Sequence, residues 1–316
     1  MSAPPESQAA AAVLLVRPAA FAANPQTAGS NAFQLGQARA GPAATQAAAL
    51  LEFEGLVGAL RQAGVETVVV NDTASPVTPD AIFPNNWLSL HADGAAVLYP
   101  MMAANRRGER RRDVLELLSR EYGFRIERLI DLSQWEQRGQ FLEGTGSMVL
   151  DRVHRVAYAC LSPRTDLEVL AEAAQLLDYE PVAFTAVDGG GVPVYHTNVL
   201  MCVGADFAVL CEEAIPDAGQ REAVRRRLSE TGHELVPISL HQMSAFAGNM
   251  LELAGASGER LLVLSARAFE SLDEPQRAAL GAHCRLLVVP IPTIETTAGG
   301  SIRCMLAEIH LPRKAG

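Results

Sequence analysis

Apolar positions along the chain recur in one order. Two short β-prone stretches flank a polar turn, a stretch with helical spacing follows, and a further β-prone run closes the unit. The first such unit runs from Phe83, with strands expected at Trp87 to Leu90 and Ala95 to Tyr99 around Asp93 and Gly94. A helix is expected near Arg107 to Glu121, then a strand at Arg125 to Ile130. The second has Ser147 to Leu150, Arg155 to Cys160, a helix from Thr165 to Leu177 with Leu170, Ala173, Ala174 and Leu177 on one face, and Pro181 to Phe184. The third has Val199 to Val203, Phe207 to Cys211, a helix near Ala218 to Glu230, and Leu235 to Ile238. The fourth has Met250 to Leu253, Arg260 to Leu264, a helix near Pro275 to His283, and Leu286 to Val289. A fifth unit is split between the ends of the chain. Its first strand is Ile302 to Ile309, its second Val13 to Val16, its helix about Thr45 to Ala63 with Leu50, Phe53, Val57 and Leu60 on one face, and its last strand Glu66 to Val70.

Aligned at the entrances of their first strands, the units place Asn86, Glu143, His196, Asn249 and Cys304 in register, with separations of 57, 53, 53 and 55 residues. A period near 55 residues with one supersecondary unit per repeat marks a radial or solenoid array. Because the fifth unit borrows pieces from both ends, the array is expected to close, which removes exposed sheet edges. The expected fold is therefore α/β, a pseudo-fivefold propeller of ββαβ modules closed by the N- and C-terminal segments. It forms one catalytic domain over residues 1–316, with residues 1–12 as a flexible tail. Closure would bring Cys, His, Glu and Asn from distant positions into one cavity.

Composition narrows the partners. Twenty-six basic against 36 acidic residues give a formal charge of −10 over 316 residues. That balance argues against a nucleic-acid polyanion as the main partner and suits a soluble enzyme. The five cysteines are scattered with no CxxC pair, so neither a disulfide framework nor a structural zinc site is expected, and a reducing, cytoplasmic setting follows. The apolar run Ala9 to Val16 lacks a basic leader and ends at Arg17, so neither export nor membrane insertion is expected.

The candidate chemistry centres on Gly299, Gly300, Ser301, Ile302, Arg303, Cys304 and Met305. Two glycines allow a tight turn and close approach to a ligand, and Cys304 is expected at the start of the strand that follows. Most lone cysteines are small buried hydrophobes. The nucleophile reading gains from the register, since His196 is the one histidine of seven on it. A cysteine nucleophile acts as its thiolate and needs a nearby acid–base partner. Arg303 beside the cysteine is a candidate to promote its ionisation. His196 would act as general acid and then general base, and Glu143 would orient it or bind the substrate head group.

These stretches resemble the guanidino-group modifying superfamily of arginine deiminases, dimethylarginine dimethylaminohydrolases and amidinotransferases. The motifs that carry the resemblance are Pro79 to Asn86, Asn105 to Arg110, Phe141 to Gly144, Ser162 to Thr165, His196 to Asn198 and the cysteine stretch. Within it the chain looks most similar to citrulline ureidases. The resemblance implies catalytic Cys304, His196 and Glu143, with a substrate pocket from Asp80, Phe83, Asn85, Asn86, Arg106, Arg164, Asn198 and Asn249. Arg106 and Arg164 would hold the carboxylate of a small amino-acid substrate by their planar forks. Asp80 would hold a head group or amine, or serve only as a turn residue. Asn249 is assigned only to the cavity wall. No metal or organic cofactor is implied, and a homodimer is compatible with such a chain.

Asn85 and Asn86 stand where guanidine-hydrolysing relatives carry carboxylates, and Asn198 where arginine deiminases carry an aspartate. An amide offers both a donor and an acceptor, whereas a carboxylate would leave a ureido oxygen unpaired at about 1–3 kcal/mol. Citrulline is therefore the expected substrate, through an S-carbamoyl cysteine that yields ornithine, carbon dioxide and ammonia. The alternative is an arginine or methylarginine hydrolase. A non-catalytic propeller-fold binding protein is the rival of another class, since fold alone does not decide function. Residues Asn24 to Gln37 form either a lid over the cavity or an ordinary surface loop.

Overall fold

The computed structural model describes residues 6–31, 33–34 and 41–314. Among the described residues the strands form five three-stranded sheets. Their strands are β1 (Ala12–Arg17), β2 (Glu66–Asn71), β3 (Leu88–Leu90), β4 (Ala95–Leu98), β5 (Arg128–Asp131), β6 (Val149–Asp151), β7 (Val156–Leu161) and β8 (Glu180–Thr185). The remainder are β9 (Met201–Val203), β10 (Phe207–Leu210), β11 (Glu234–Pro237), β12 (Leu251–Ala254), β13 (Arg260–Ser265), β14 (Arg285–Val289) and β15 (Ala307–Glu308).

Every sheet is built alike. The middle strand pairs antiparallel with the strand before it and parallel with the strand after it, as in β6, β7 and β8. A tight turn suffices for the first connection, while the parallel return needs a crossover, and a helix supplies it. Helix Leu167–Leu177 shows how local sequence sets this up. Asp166 caps it by accepting from the backbone N–H groups of Glu168 and Val169, and Val169, Leu170, Ala173, Ala174 and Leu177 face the core. Central strands such as β4 and β10 are buried at every position and read as continuous apolar runs because both faces are covered. The split unit is present as expected: β1 lies between β15 and β2, pairing Val13 with Glu308 and with Thr67. Bridges Leu90 to Ile309 and Ala10 to Leu253 tie that sheet to the first and fourth units.

Three expectations are corrected. Ile302 to Ile309 is not one strand: Ile302–Met305 is a turn of 3-10 helix and only Ala307–Glu308 pairs as β15. The other units agree, because short helical turns Pro84–Asn86, Gly144–Ser147 and Thr197–Leu200 precede β3, β6 and β9. A buried apolar turn has the same composition as a buried strand, so periodicity does not separate them. The helix expected from Arg107 begins at Arg112, since Ala104–Glu109 forms a separate 3-10 segment. The tail is likewise not free over residues 6–12, where Glu6, Gln8 and Ala10 are buried.

Glu6 is held by charge. Its carboxylate accepts from Arg152 at 2.7 Å, Arg155 at 2.9 Å and the Tyr179 hydroxyl at 3.0 Å, and Arg152 also reaches Glu308 at 3.3 Å. The N-terminal segment is thereby fastened to the second unit and to β15. Among the described residues no helix is long and apolar enough to cross a membrane.

Burial alone would raise the Glu6 carboxyl, but Arg152 and its other partners hold it down at about 2 instead of 4.5. The unfolded chain therefore binds a proton first as pH falls. Stability from this group is complete above pH 4.5 and is lost as pH drops toward about 2. Chemical denaturation across that range should show a steep fall in stability for the parent protein and a shallower one for Glu6→Gln; identical slopes would remove Glu6 from the acid response.

Candidate active site

Three consecutive units deliver Asn86, Glu143 and His196 on the short helical turns that precede their first strands, and the C-terminal turn delivers Cys304. Together Asn86, His196 and Cys304 line one narrow cleft with Asp80, Phe83, Arg106, Arg164 and Tyr195. Glu143 lies directly beneath, fully buried.

The Glu143 carboxylate is the hub. Its Oε2 accepts from His196 Nε2 at 2.8 Å and lies 3.5 Å from Arg164 and 3.7 Å from Arg106, and its Oε1 accepts from the Met102 N–H at 3.1 Å. Burial opposes the charge, yet Arg164, the His196 hydrogen bond and Arg106 hold this carboxyl well below the ordinary range. With Nε2–H donating to Glu143, the other ring nitrogen of neutral His196 is left as an acceptor. Burial pushes the imidazole down to about 4 against the upward pull of Glu143, with Arg164 and Arg106 adding to the lowering. Gly146 is required beside it, because a Cβ there would sit 2.8 Å from His196 Nδ1 and 2.4 Å from Asn86 Nδ2.

Cys304 is buried at the end of the same cleft, with Asn249 Nδ2 3.3 Å and Asn198 Nδ2 3.5 Å from its sulfur. These amides offer donors to negative charge building on sulfur. Asn249 is itself fixed by donating to Asn198 O at 2.9 Å and accepting from Arg303 N at 3.0 Å. The structure thus places Asn198 and Asn249 against the Cys304 sulfur. The remaining cysteines have no such setting: burial pushes Cys160, Cys202 and Cys284 up to about 12 and Cys211 up to about 11. The expected help from Arg303 is corrected, since its guanidinium pairs with Glu308 at 2.7 Å and donates to Leu306 O at 3.0 Å.

The pocket arginines divide their tasks. The Nε and Nη2 edge of Arg106 forks onto Glu109 at 2.9 and 2.8 Å, and Nη1 donates to Asn86 Oδ1 at 3.0 Å. Its fork edge is therefore taken by Glu109, while the residue still lines the cleft. Among the described residues, the Arg164 guanidinium is held by groups of the loop before the first helix, namely Ser30 Oγ at 2.7 Å and Thr27 O at 3.3 Å, and by Glu143. Its guanidinium also lies 4.9 Å from the Tyr195 ring centre. Asp80 accepts from Asn24 at 2.8 Å and lies 3.7 Å from Arg106. Asn86 Nδ2 donates to Asn85 Oδ1 at 3.1 Å, while Asn85 Nδ2 is buried without a partner.

Sequence reading gave no role of their own to Glu109 and Tyr195, and left Asn24 to Gln37 as either a lid or a surface loop. Glu109, three residues after Arg106, is buried, which pushes its carboxyl up to about 7 despite Arg106. Asn24, Thr27, Ser30 and Asn31 lie over the cleft, Asn31 donating to Ala298 O at 3.1 Å. Residues 32 and 35–37 of the segment read as lid or surface loop lie outside the described residues.

The model of the family N,N dimethylarginine dimethylhydrolase, eukaryotic, matches residues 17–311. No curated protein sequence matches the chain. Among solved structures, the N-terminal domain of ArgZ, an arginine dihydrolase from the ornithine-ammonia cycle in cyanobacteria, is similar with a TM-score of 0.72 and 18% identity, covering 95% of this chain and 99% of that one. That structure is a cysteine-to-serine variant bound to substrate. DDAH from Pseudomonas aeruginosa, likewise a cysteine-to-serine variant and complexed with citrulline, gives 0.65 and 14%, covering 94% and 98%. AgrE with ornithine and NAD+ gives 0.74 and 17%, and this chain, 96% covered, spans 40% of its length. At these identities the likeness is one of fold. By the family match over nearly its whole length, the chain belongs to the N,N dimethylarginine dimethylhydrolase family, within the guanidino-group modifying superfamily of C–N hydrolases.

Proposed function

We propose that this chain is a cysteine-dependent hydrolase acting at the guanidino or ureido carbon of an amino acid, with its five sheets closed into one ring-shaped catalytic domain. The observation that carries the reading is the meeting of Cys304, His196 and Asn86 in one cleft above Glu143, from four separate units. Bridges Leu90 to Ile309 and Ala10 to Leu253, on either side of the sheet shared by the chain ends, support closure.

In this reading the Cys304 thiol gives its proton to His196 as sulfur attacks the carbon. Asn198 and Asn249 support the charge on sulfur, and His196 passes the proton to the departing nitrogen. Water then adds, with His196 as base, and the C–S bond breaks. A guanidine would lose ammonia or an alkylamine and leave a urea. A ureido substrate would lose ornithine and leave an S-carbamoyl cysteine, released as carbamate.

Guanidine hydrolysis is the first reading for the head group. It is supported by the family match and by the likeness to ArgZ, an arginine dihydrolase, and Asp80 is the carboxylate in the cleft that a guanidinium would meet. Citrulline is the second reading, favoured by amides at Asn85 and Asn86 where a bidentate carboxylate would suit a cation. Arg164, fastened by loop groups and Glu143, is the candidate to take the substrate carboxylate in exchange for Ser30 and Thr27.

Purified protein given arginine, methylarginine and citrulline should release ammonia or methylamine with citrulline from the first two; ornithine and ammonia from citrulline alone would establish the second reading. Cys304→Ser should abolish every activity, and silence of the parent protein on all three substrates would overturn the hydrolase reading. Because His196 must be neutral to receive the thiol proton, kcat/KM should decline as pH falls through about 4; an acid limb centred above pH 6 would remove His196 from this role. Asn86→Asp should reduce turnover of citrulline more than that of a guanidine, whereas equal losses would mean that Asn86 does not sort head groups.

A further inference from the structure

Strand β6 leads away from Glu143 and ends at Asp151, on the side of the second sheet remote from the cleft. There Asp151, His154 and His233 bring one ligand atom each within 4.8 Å of the others. His154 Nδ1 is 3.0 Å from both Asp151 oxygens. His233 Nε2 is 3.8 Å from Asp151 Oδ2 and 3.1 Å from the carbonyl oxygen of Gly204. Asp151 and His233 are buried, while the His154 side chain is 37% exposed and leaves a path from solvent. The backbone N–H of His154 donates to Asp151 Oδ1 at 2.9 Å and fixes the carboxylate.

His233 has two hydrogen-bonding arrangements open to it. Thr231 Oγ1 lies 2.9 Å from Arg227 O, 3.0 Å from Leu228 O and 2.8 Å from His233 Nδ1. With the threonine hydrogen on Nδ1, His233 Nε2–H donates to the Gly204 carbonyl. With that hydrogen on a helix carbonyl, Thr231 accepts from Nδ1–H, and the Nε2 lone pair, the Gly204 carbonyl and the Asp151 carboxylate together form an acceptor set that a cation would satisfy. The separations of 3.0, 3.1 and 3.8 Å bracket the roughly 3.3 Å edge of a tetrahedron with zinc-to-ligand bonds near 2.0–2.1 Å.

We propose that Asp151, His154 and His233 form a binding site for a divalent transition-metal ion of the zinc class, clipping the second unit to the third. Two imidazoles and a carboxylate match the ligand preference of that class over magnesium or calcium. Gly204 O, from the turn between β9 and β10, stands ready as a fourth oxygen. The site shares no residue with the cleft, so it stands apart from the hydrolase reading and from the expectation that the catalytic chemistry needs no metal.

The test uses chelator-stripped full-length protein carrying Cys304→Ser, which removes the cleft thiol as a competing zinc ligand. Calorimetric titration with zinc chloride should show one equivalent bound, and adding His154→Ala, at an exposed position, should weaken binding by about 10-fold to 100-fold or more. Zinc should raise the thermal midpoint of the first protein and not of the second, and magnesium should do neither. Equal zinc affinity with and without His154, or no saturable binding, would assign the convergence to a proton on His233 and overturn the metal site. Hydrolase activity of the His154→Ala single variant should match the parent protein.

Discussion

A single buried anion organises the catalytic face. The Glu143 carboxylate has no contact with solvent and would be untenable there alone, because an isolated charge in a low-dielectric interior costs many kcal/mol. It is tolerable because His196, Arg164 and Arg106 converge on one of its oxygens and a backbone N–H on the other. Those partners come from the first, second and third units, so satisfying one carboxylate sets the relative placement of three repeats. Removing one member of such a buried set costs about 3–5 kcal/mol, mostly by orphaning the rest.

Around that anion the arginines and carboxylates form a chain of dependence. Glu109 holds Arg106, Arg106 holds Asn86, and Asn86 is held again by Asn85. Asn86 is thus an amide with both of its ends held by protein. The other end of the cleft is looser. Arg164 and Asp80 take their remaining bonds from Ser30, Thr27 and Asn24 in a covering loop, groups that a bound amino acid could replace.

Much of this was legible in the sequence because the repeat is strict. The 53- to 57-residue register placed Asn86, Glu143, His196, Asn249 and Cys304 together before any coordinates, and helix spacing placed the crossover helix Leu167–Leu177. Misread features share a cause: periodicity reports burial and not backbone type. Ile302–Met305 is apolar and buried, hence strand-like on paper and a helical turn in space. Likewise Arg106 reads as facing a substrate carboxylate, since nothing in a linear pattern says that two opposite charges three residues apart have turned inward to neutralise each other. Glu6 misled in the same way, its salt-bridge partner lying 146 residues along the chain.

The pairing of β1 with β15 has a bearing on how the molecule comes into being. Val13 must wait for Glu308, 308 − 13 = 295 residues further along, a contact of very long sequence separation and therefore among the slowest to close. A ribosome emits the first strand long before its neighbour, so the nascent sheet passes synthesis with one edge bare. The sulfur arrives with that same late segment. Chains cut short before that segment would accordingly lack both the third strand of this sheet and the thiol on which the proposed chemistry rests, so that one stretch of chain supplies both.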